Sequence, residues 1–365
     1  MAHAAAVPAE EVAAVFGADA GALTIEPLPH AAVASATVGL WRVRVADRSA
    51  VVKLLAHAPG GGSPNWRSGR DEAHWYYWRR EADAYRSGLL GGLAGGLRAP
   101  RCHLVADRGG GSVALWLEDL QGEPASSWSL DRYHRAARHL GRAQGEYIAG
   151  RPLPDAPWLS RRWLRSYLAQ PLRRLTVPAD RSSWRRPLLA DWFPDPPIEA
   201  LQAMRADCGR FLGVLDGMPA TLCHFDFHPA NLFDGGHDTT AAIDWSFVGI
   251  GALGEDAGNL VPDAVLDFHV GPAELGALYD AVADGYTAGL GDAGWSGSAA
   301  GVRLAMAATM AAKYAWIGPA VAHAAIDGHE LLNGRPVAEA LAWWGPTVGF
   351  LLDRAREARD LDTQR

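Results

Sequence analysis

Residues 222–245 read LCHFDFHPANLFDGGHDTTAAIDW, the densest run of reactive side chains in the chain. Two short apolar runs, 232–233 and 241–243, flank a glycine-containing turn, and the midpoint between Asn231 and Asp244 falls inside that turn. This pattern predicts a β-hairpin whose open end places Asn231 and Asp244 roughly opposite each other. The alternative is a surface hairpin in which both residues only make turns. Against it, Asp244 directly follows an apolar strand, where a turn residue is out of place.

The side chains at the open end of this hairpin suit phosphoryl-transfer chemistry. Hard oxygen ligands such as Asn231 and Asp244 fit Mg²⁺ that also carries phosphate oxygens and water. Asp226 lies five residues before Asn231, on the loop that enters the hairpin. From there it can accept the proton of an attacking hydroxyl and hold that hydroxyl in line with a phosphoryl group.

Lys53 and Glu81 are a predicted ion pair upstream of the hairpin. Lys53 lies inside the apolar strand Ala50–Leu55, and it is one of two lysines in a chain with 32 arginines. A charge in such a strand faces either solvent or an anionic partner in a cleft. A helix over 71–87 would place Glu81 on one face with three aromatic residues, His74, Trp78 and Tyr85. A carboxylate on that face needs a cation. The alternative for Glu81 is a solvated position on the flank of that helix.

The order of elements predicts an α+β fold with two parts. Alternating and apolar runs predict strands over 34–45, 50–55, 102–106 and 113–117, with a helix near 9–16 and the helix 71–87. After residue 117 the chain is mostly helical, with helices predicted over 130–149, 158–175, 198–216, 272–288, 298–323 and 337–358. The glycine-rich stretch 59–69 is predicted to be a loop, and the two parts meet near residues 118–124.

Composition excludes several classes of protein. The chain has 365 residues, a formal net charge of -7 and three scattered cysteines without C-x-x-C spacing, so nucleic-acid binding, a disulfide framework and a structural zinc site are not indicated. The early sequence has no Lys or Arg, unlike a signal peptide. The apolar stretch 304–325 contains Lys313 and Pro319 and predicts a buried helix pair rather than a membrane span. We expect a cytoplasmic protein without membrane or nucleic-acid partners.

These residues resemble a known family. A lysine on a strand, a glutamate on the next helix, H-x-D-x-x-x-x-N and a later aspartate follow the order of the protein-kinase template. Residues 224–231 (HFDFHPAN) and 243–245 (IDW) are similar to the signatures of the aminoglycoside phosphotransferase and choline kinase group. The segments 78–85 (WRREADAY) and 117–122 (LEDLQG) also resemble its helix and hinge. A Walker-A loop is absent, since neither lysine follows a glycine.

The resemblance implies a two-lobed protein-kinase-like fold that uses ATP and Mg²⁺. It implies an N-terminal nucleotide-binding lobe over 1–117, a hinge over 118–124 and a helical lobe over 125–365 with the catalytic loop and the substrate pocket. By this resemblance Asp226 is the catalytic base, Asn231 and Asp244 are metal ligands, and Asp256 braces the catalytic loop. Lys53 with Glu81 steers the phosphates, and a turn at 35–39 that ends on Gly39 covers them. The backbone around Glu118 and Leu120 contacts the adenine.

Two positions depart from the family pattern. Phe225 stands between His224 and Asp226, where the family usually has glycine. The turn 35–39 (SATVG) has one glycine and no G-x-G-x-x-G. Neither departure removes a reacting group, but the first implies an altered backbone in the catalytic loop.

The sequence leaves open the acceptor of a kinase and also two other classes of function. An antibiotic, aminoglycoside-like or other, is the first hypothesis, with a role in resistance. A metabolic kinase of a sugar, amino sugar or amino alcohol is the alternative. A metal-dependent hydrolase that uses His224 and His228 is a further one, although such sites need additional ligands at set spacings. After a kinase and a hydrolase, the third class of function is a catalytically inactive kinase fold that acts as a binding module. Against it, all five positions expected in an active kinase (53, 81, 226, 231 and 244) hold the expected residue types.

Overall fold

The computed structural model describes residues 7–18, 22–30, 36–57 and 63–364. The strands are β1 Leu23–Pro27, β2 Thr37–Val45, β3 Arg48–Ala56, β4 Leu97–Arg98, β5 Cys102–Arg108, β6 Ser112–Glu118, β7 Ser160–Arg161, β8 Ala220–Cys223, β9 Leu232–Gly236, β10 Thr239–Ala242, β11 Gly249–Ala252, β12 Leu331–Leu332 and β13 Arg335–Pro336. The helices are α1 Ala9–Phe16, α2 Arg80–Arg86, α3 Leu130–Ile148, α4 Trp163–Leu168, α5 Pro187–Ala190, α6 Ile198–Ala206, α7 Cys208–Asp216, α8 Glu255–Leu266, α9 Leu275–Asp292, α10 Ala299–Lys313, α11 Ile317–Ile326 and α12 Val337–Asp362.

A five-stranded antiparallel sheet carries the first half of the site. Its strand order is β1-β2-β3-β6-β5, so β3 is the central strand. Since side chains alternate along a strand, Val52 faces α1 and packs with Phe16 and Trp116, whereas Leu55 faces α2 and packs against Ala82. Lys53 has the same parity as Leu55. It therefore points from the middle of the sheet toward the helix that carries Glu81.

The helix predicted over 71–87 is shorter in the structure. Regular α-helix covers only α2, Arg80–Arg86, and residues 71–79 form turns. The N–H of Trp78 donates to the carbonyl of Gly69 (3.2 Å) and the N–H of Tyr76 donates to Nδ1 of His74 (3.1 Å), so these donors are not used in a continuous helix. His74 and Trp78 therefore do not share a helical face with Glu81. The prediction was right in placing Glu81 on the packed face, and it is 1% exposed.

The second part of the chain is mostly helical. Helices α3 and α9 pack closely along glycines: a Cβ on Gly285 would lie 2.2 Å from the carbonyl oxygen of His134, and one on Gly289 would lie 2.1 Å from that of Arg138. Two predicted long helices are broken. The first divides at Asp207 into α6 and α7, and the second divides at Tyr314 into α10 and α11. The helix predicted over 158–175 is reduced to α4 and a 3₁₀ turn at Pro171–Arg174.

Within the described residues, no helix is both long and apolar enough to cross a membrane. The apolar stretch 304–325 forms parts of α10 and α11, which are buried in the helical core. The prediction of a buried helix pair is confirmed.

The connection between the two parts runs against the hairpin β9–β10. A Cβ on Gly122 would lie 1.7 Å from the carbonyl oxygen of Asp234, so only glycine fits there. The N–H of Asp234 donates to the carbonyl of Glu123 (2.8 Å), and Pro124 pairs with Phe233 as an isolated bridge. Residues 118–124 thus bring the end of the sheet into contact with the hairpin.

Candidate active site

The hairpin has the geometry that its sequence predicts. Strands β9 and β10 are antiparallel, with Leu232 opposite Ala242. One step further, the N–H of Ile243 donates to the carbonyl of Asn231 (2.9 Å). Asn231 and Asp244 therefore stand at the same, open end of the hairpin.

Lys53 lies between two carboxylates from different parts of the chain. Its Nζ is 2.6 Å from Oε2 of Glu81 and 2.9 Å from Oδ1 of Asp244. Lys53 is 6% exposed and Glu81 1%, whereas the side chain of Asp244 is 37% exposed. The predicted ion pair between Lys53 and Glu81 forms. Asp244 joins it from the hairpin and keeps one side open.

The charges of this triad are set by burial and by one another. Burial opposes ionisation of Asp244, but the charge of Lys53 and a hydrogen bond from Ser246 outweigh it and lower the pKa of Asp244 to about 2. Burial raises the pKa of Glu81, against the opposing effect of Lys53. The pKa of Lys53 is raised, because Asp244 and Glu81 together outweigh its desolvation. Lys53 and Asp244 are therefore charged at neutral pH.

Asp226 is held by the side chain of Asn231. The Nδ2 of Asn231 donates to the backbone carbonyl and to Oδ2 of Asp226, both at 3.0 Å. The Nε2 of His228 lies 3.7 Å from the same Oδ2. Burial raises the pKa of the Asp226 carboxyl, while the charge of His228 acts in the opposite direction. The result is a partly exposed carboxylate in a fixed orientation.

Asp256 anchors the loop that carries Asp226. Its two carboxylate oxygens accept the N–H groups of His224 (2.8 Å) and Phe225 (2.7 Å), and Nε2 of Gln144 donates to it at 2.8 Å. Asp256 is fully buried, and burial raises its pKa to about 6. The structure thus places Asp256 in the bracing contact that the family resemblance implies.

Phe225 adopts the backbone conformation for which glycine is suited. Its φ is +66°, in the left-handed region that is costly for a bulky residue. The ring is 1% exposed and stacks on Trp163, with ring centroids 5.6 Å apart. Burial of the ring offsets the backbone strain. The loop therefore keeps a glycine-like path without a glycine.

His224 and His228 are both engaged by other groups of the protein. Nδ1 of His224 accepts the N–H of Asp226 (3.2 Å), and its Nε2 faces the carbonyl of Ile243 (2.9 Å). Burial lowers the pKa of His224 to about 4, so it is neutral, with both nitrogens engaged by backbone. Nδ1 of His228 lies 3.3 Å from Oδ2 of Asp267. Among the described residues no group of three or more His, Cys, Asp or Glu side chains is placed to hold a metal ion.

The predicted hinge residues lie at the end of β6. The carboxylate of Glu118 accepts two hydrogen bonds from the guanidinium of Arg98 (2.7 and 3.0 Å), and the N–H of Glu118 donates to the carbonyl of Arg101 (2.8 Å). Its neighbour Asp119 accepts a hydrogen bond from Nε of Arg42 (2.8 Å), a residue of β2. The side chain of Glu118 is thus structural, and Leu120 follows on the segment that crosses to the hairpin.

Gly39 has a local packing explanation. It lies at a bulge in β2, and a Cβ there would be 2.0 Å from the ring of Trp41. The glycine therefore makes room for Trp41, a reason that the sequence did not reveal. Part of the predicted turn, Ser35, lies outside the described residues, as do residues 34 and 59–62 of the predicted strand and loop.

Several residues at the site were missed from the sequence. Ser246 binds Asp244, and Arg80 binds the backbone carbonyls of Trp158 and Ser246. Arg80 directly precedes Glu81, but in a chain with 32 arginines nothing marked it.

Comparison with known proteins agrees with this architecture. The family model described as "Phosphotransferase enzyme family" matches residues 40–299, most of the chain. No curated protein sequence matches the chain.

Solved structures with similar folds share little sequence with the chain. An amicoumacin kinase in complex with AMP-PNP and Ca²⁺ is 13% identical, with 92% of this chain and 88% of that one covered and a TM-score of 0.53. A spectinomycin phosphotransferase in complex with ADP and spectinomycin is 13% identical, with 95% and 97% covered and a TM-score of 0.52. A choline kinase from Cryptosporidium parvum Iowa II is 13% identical, with 97% and 95% covered and a TM-score of 0.52. The expected two-lobed, protein-kinase-like α+β fold is confirmed.

Proposed function

This chain belongs to the phosphotransferase enzyme family and is a small-molecule phosphotransferase, and we propose that it transfers the γ-phosphate of ATP to a hydroxyl group of a small molecule in the cytoplasm. One observation carries the proposal. Lys53 is held between Glu81 and Asp244, at 2.6 and 2.9 Å, beside the hairpin end from which Asn231 orients Asp226. These are the groups that a transferring phosphoryl needs: a cation, oxygen ligands and a base.

Lys53 would neutralise the α- and β-phosphates, with Glu81 holding the ammonium in place. The N–H of Glu118 already donates to the carbonyl of Arg101 at the end of the sheet. We therefore propose that the carbonyl of Glu118 and the backbone of Leu120 contact the adenine. Gly39 would contribute only its backbone, at the start of the strand pair that covers the phosphates.

The residues present fit a magnesium ion. Asp244 is ionised and partly exposed, and Nδ2 of Asn231 is engaged by Asp226, so Oδ1 is the ligand atom that Asn231 offers. Carboxylate and amide oxygens are the ligands that Mg²⁺ prefers. When bound, the ion would neutralise charge on the phosphate oxygens.

Asp226 would act as the base. One hydrogen bond from Asn231 reaches Oδ2 and orients the carboxylate, a second holds the backbone carbonyl of Asp226, and His228 stabilises the charged form of the carboxylate. A hydroxyl that donates a hydrogen bond to Asp226 would be oriented toward the phosphoryl group and would lose its proton to the carboxylate as the new P–O bond forms.

For the acceptor we propose an antibiotic with a free hydroxyl, which would make the protein a resistance enzyme. Two proteins of similar fold are kinases of amicoumacin and spectinomycin by name. The carboxylates beside Asp226 are already paired, Asp263 with Lys313 (3.4 Å) and Asp267 with His228 (3.3 Å). This pairing favours an acceptor with few positive charges over a polycationic aminoglycoside.

A metabolic acceptor is the second candidate. The similarity in fold to a choline kinase and the same paired carboxylates are compatible with phosphorylation of a sugar, amino sugar or amino alcohol. A screen of both classes with ATP and Mg²⁺, read by ADP release and product mass, separates the two candidates.

The assigned roles are tested with two variants. Asp226→Asn should abolish product formation but keep Mg–AMP-PNP binding, whereas Asp244→Ala should weaken the binding itself. Asp195→Asn, at an almost fully exposed position, is the matched control and should behave as the wild type. Equal loss of nucleotide binding in Asp226→Asn and Asp244→Ala would contradict the roles.

A further inference from the structure

Arg80 is a buried cation without a buried anion beside it. It is 1% exposed, and no carboxylate of the described residues pairs with it. Its guanidinium instead donates to four backbone carbonyls: His74 (2.7 Å), Trp75 (3.0 Å), Trp158 (2.7 Å) and Ser246 (3.0 Å). These carbonyls satisfy nearly the full donor capacity of the planar fork.

The four carbonyls come from three separate segments of the chain. His74 and Trp75 precede α2, Trp158 lies beyond α3 in the helical part, and Ser246 is two residues after Asp244. Arg80 therefore joins the helix that carries Glu81 to the segment that carries Asp244, across the boundary between the two parts of the fold.

The next residue grips the same segment. Oε1 of Glu81 accepts the N–H of Trp245 (3.2 Å), while its Oε2 binds Lys53. Consecutive residues of α2 thus hold consecutive residues of the loop after Asp244. Around them Phe247 stacks on Trp75, with ring centroids 5.8 Å apart and planes 6° apart, and it also contacts Tyr76.

Burial of an unpaired charge costs free energy. An arginine at this position therefore indicates that its hydrogen bonds to the three backbone segments are needed. Burial lowers the pKa of Arg80 to about 10, yet the group stays protonated at neutral pH. An apolar side chain would fill the same space without desolvating a charge, but it could not hold three backbone segments in register.

We propose that Arg80 is a positioning residue that presets the distance between Glu81 and Asp244, so that Lys53 and the Mg–nucleotide meet both carboxylates in a fixed arrangement. This inference rests on the proposed function. Arg80 touches no reacting atom and acts through Glu81 and the segment 245–246.

The test compares Arg80→Lys with Arg173→Lys. Arg173 is also buried, at 7% exposed. Its guanidinium stacks on the rings of Tyr167 and Trp316, whereas that of Arg80 donates to backbone carbonyls. The two variants make the same chemical change, and Arg173→Lys measures the effect of a destabilised core alone. Both are compared with wild type by calorimetric titration with Mg–AMP-PNP, at a temperature where the circular dichroism of all three agrees.

Arg80→Lys should weaken Mg–AMP-PNP binding about tenfold or more, because the loss of one charge-assisted hydrogen bond corresponds to about that factor. Arg173→Lys should stay within about twofold of wild type. Wild-type affinity in Arg80→Lys, or an equal loss in both variants, would overturn the inference while the proposed function stands. Absence of binding by the wild type would overturn both.

A second measurement needs no variant. Hydrogen–deuterium exchange of the wild-type chain should be equally slow over 245–248 with and without Mg–AMP-PNP, because Arg80 and Glu81 already fix this segment. If these amides become protected only when nucleotide is added, the segment is not preset and the inference fails.

Discussion

Replacement of Lys53 by methionine should destabilise the protein by about 3–5 kcal/mol, the usual cost of removing one partner of a buried ion pair. At 2.6 and 2.9 Å, and with an effective dielectric constant of about 20, each carboxylate attracts the ammonium by about 6 kcal/mol before desolvation is counted. Without the lysine, Glu81 stays buried opposite Asp244 with no cation between them.

The size of this loss should depend on pH. Burial already raises the pKa of Glu81 in the wild type, and without Lys53 it rises further. A carboxyl whose folded-state pKa lies above its unfolded value adds stability at low pH and loses that contribution as pH rises through the folded value. The deficit of Lys53→Met should therefore be smaller at pH 5.5 than at pH 8.

Urea unfolding followed by tryptophan fluorescence measures this directly. The double variant Lys53→Met/Glu81→Gln should recover part of the loss, because the buried charge is removed with its partner. Arg181→Met breaks an exposed ion pair with Glu199 and should leave the midpoint unchanged. A loss below about 1 kcal/mol in Lys53→Met, or no recovery in the double variant, would refute the assignment of a buried triad.

Three further substitutions test individual contacts. Phe225→Gly relieves a positive φ but removes a buried, stacked ring, and urea unfolding should show a net loss of about 2–4 kcal/mol; a gain in stability would mean that strain dominates. His228→Gln should cost up to about 3 kcal/mol near pH 6.5 and progressively less toward pH 9, because burial alone would lower the pKa of His228 but Asp226 and Asp267 raise it to about 9; a pH-independent difference would contradict this. Gly122→Ala should displace the hinge from the hairpin and raise KM for ATP several-fold, whereas an unchanged KM would show that the close approach is unimportant.

The hairpin and the ion pair were predictable because they depend on local patterns. Asn231 and Asp244 are equidistant from a glycine turn, and two antiparallel strands leave one way to pair them. Lys53 in an apolar strand required a partner of opposite charge, and Glu81 was correctly placed on the packed side although the helical face predicted for it contains only Tyr85 of the three aromatic residues. Residue type and spacing were sufficient for these features.

Contacts between remote segments were not predictable. The helix expected over 71–87 begins only at Arg80 in the structure, because the N–H of Trp78 donates to the carbonyl of Gly69 and not to that of His74. The glycine pattern was also misleading. Gly39 makes room for Trp41, whereas the position with a glycine-like backbone holds Phe225, because Trp163 offers its ring a buried stacking site.

The most direct test is a crystal structure of the wild-type protein with Mg–AMP-PNP. The expected result places the metal within about 2.1 Å of Oδ1 of Asn231 and a carboxylate oxygen of Asp244, Lys53 on the α- and β-phosphates, and Asp226 facing the γ-phosphate. A nucleotide bound away from Lys53, or a γ-phosphate out of reach of Asp226, would contradict the convergence of these residues on one phosphoryl group.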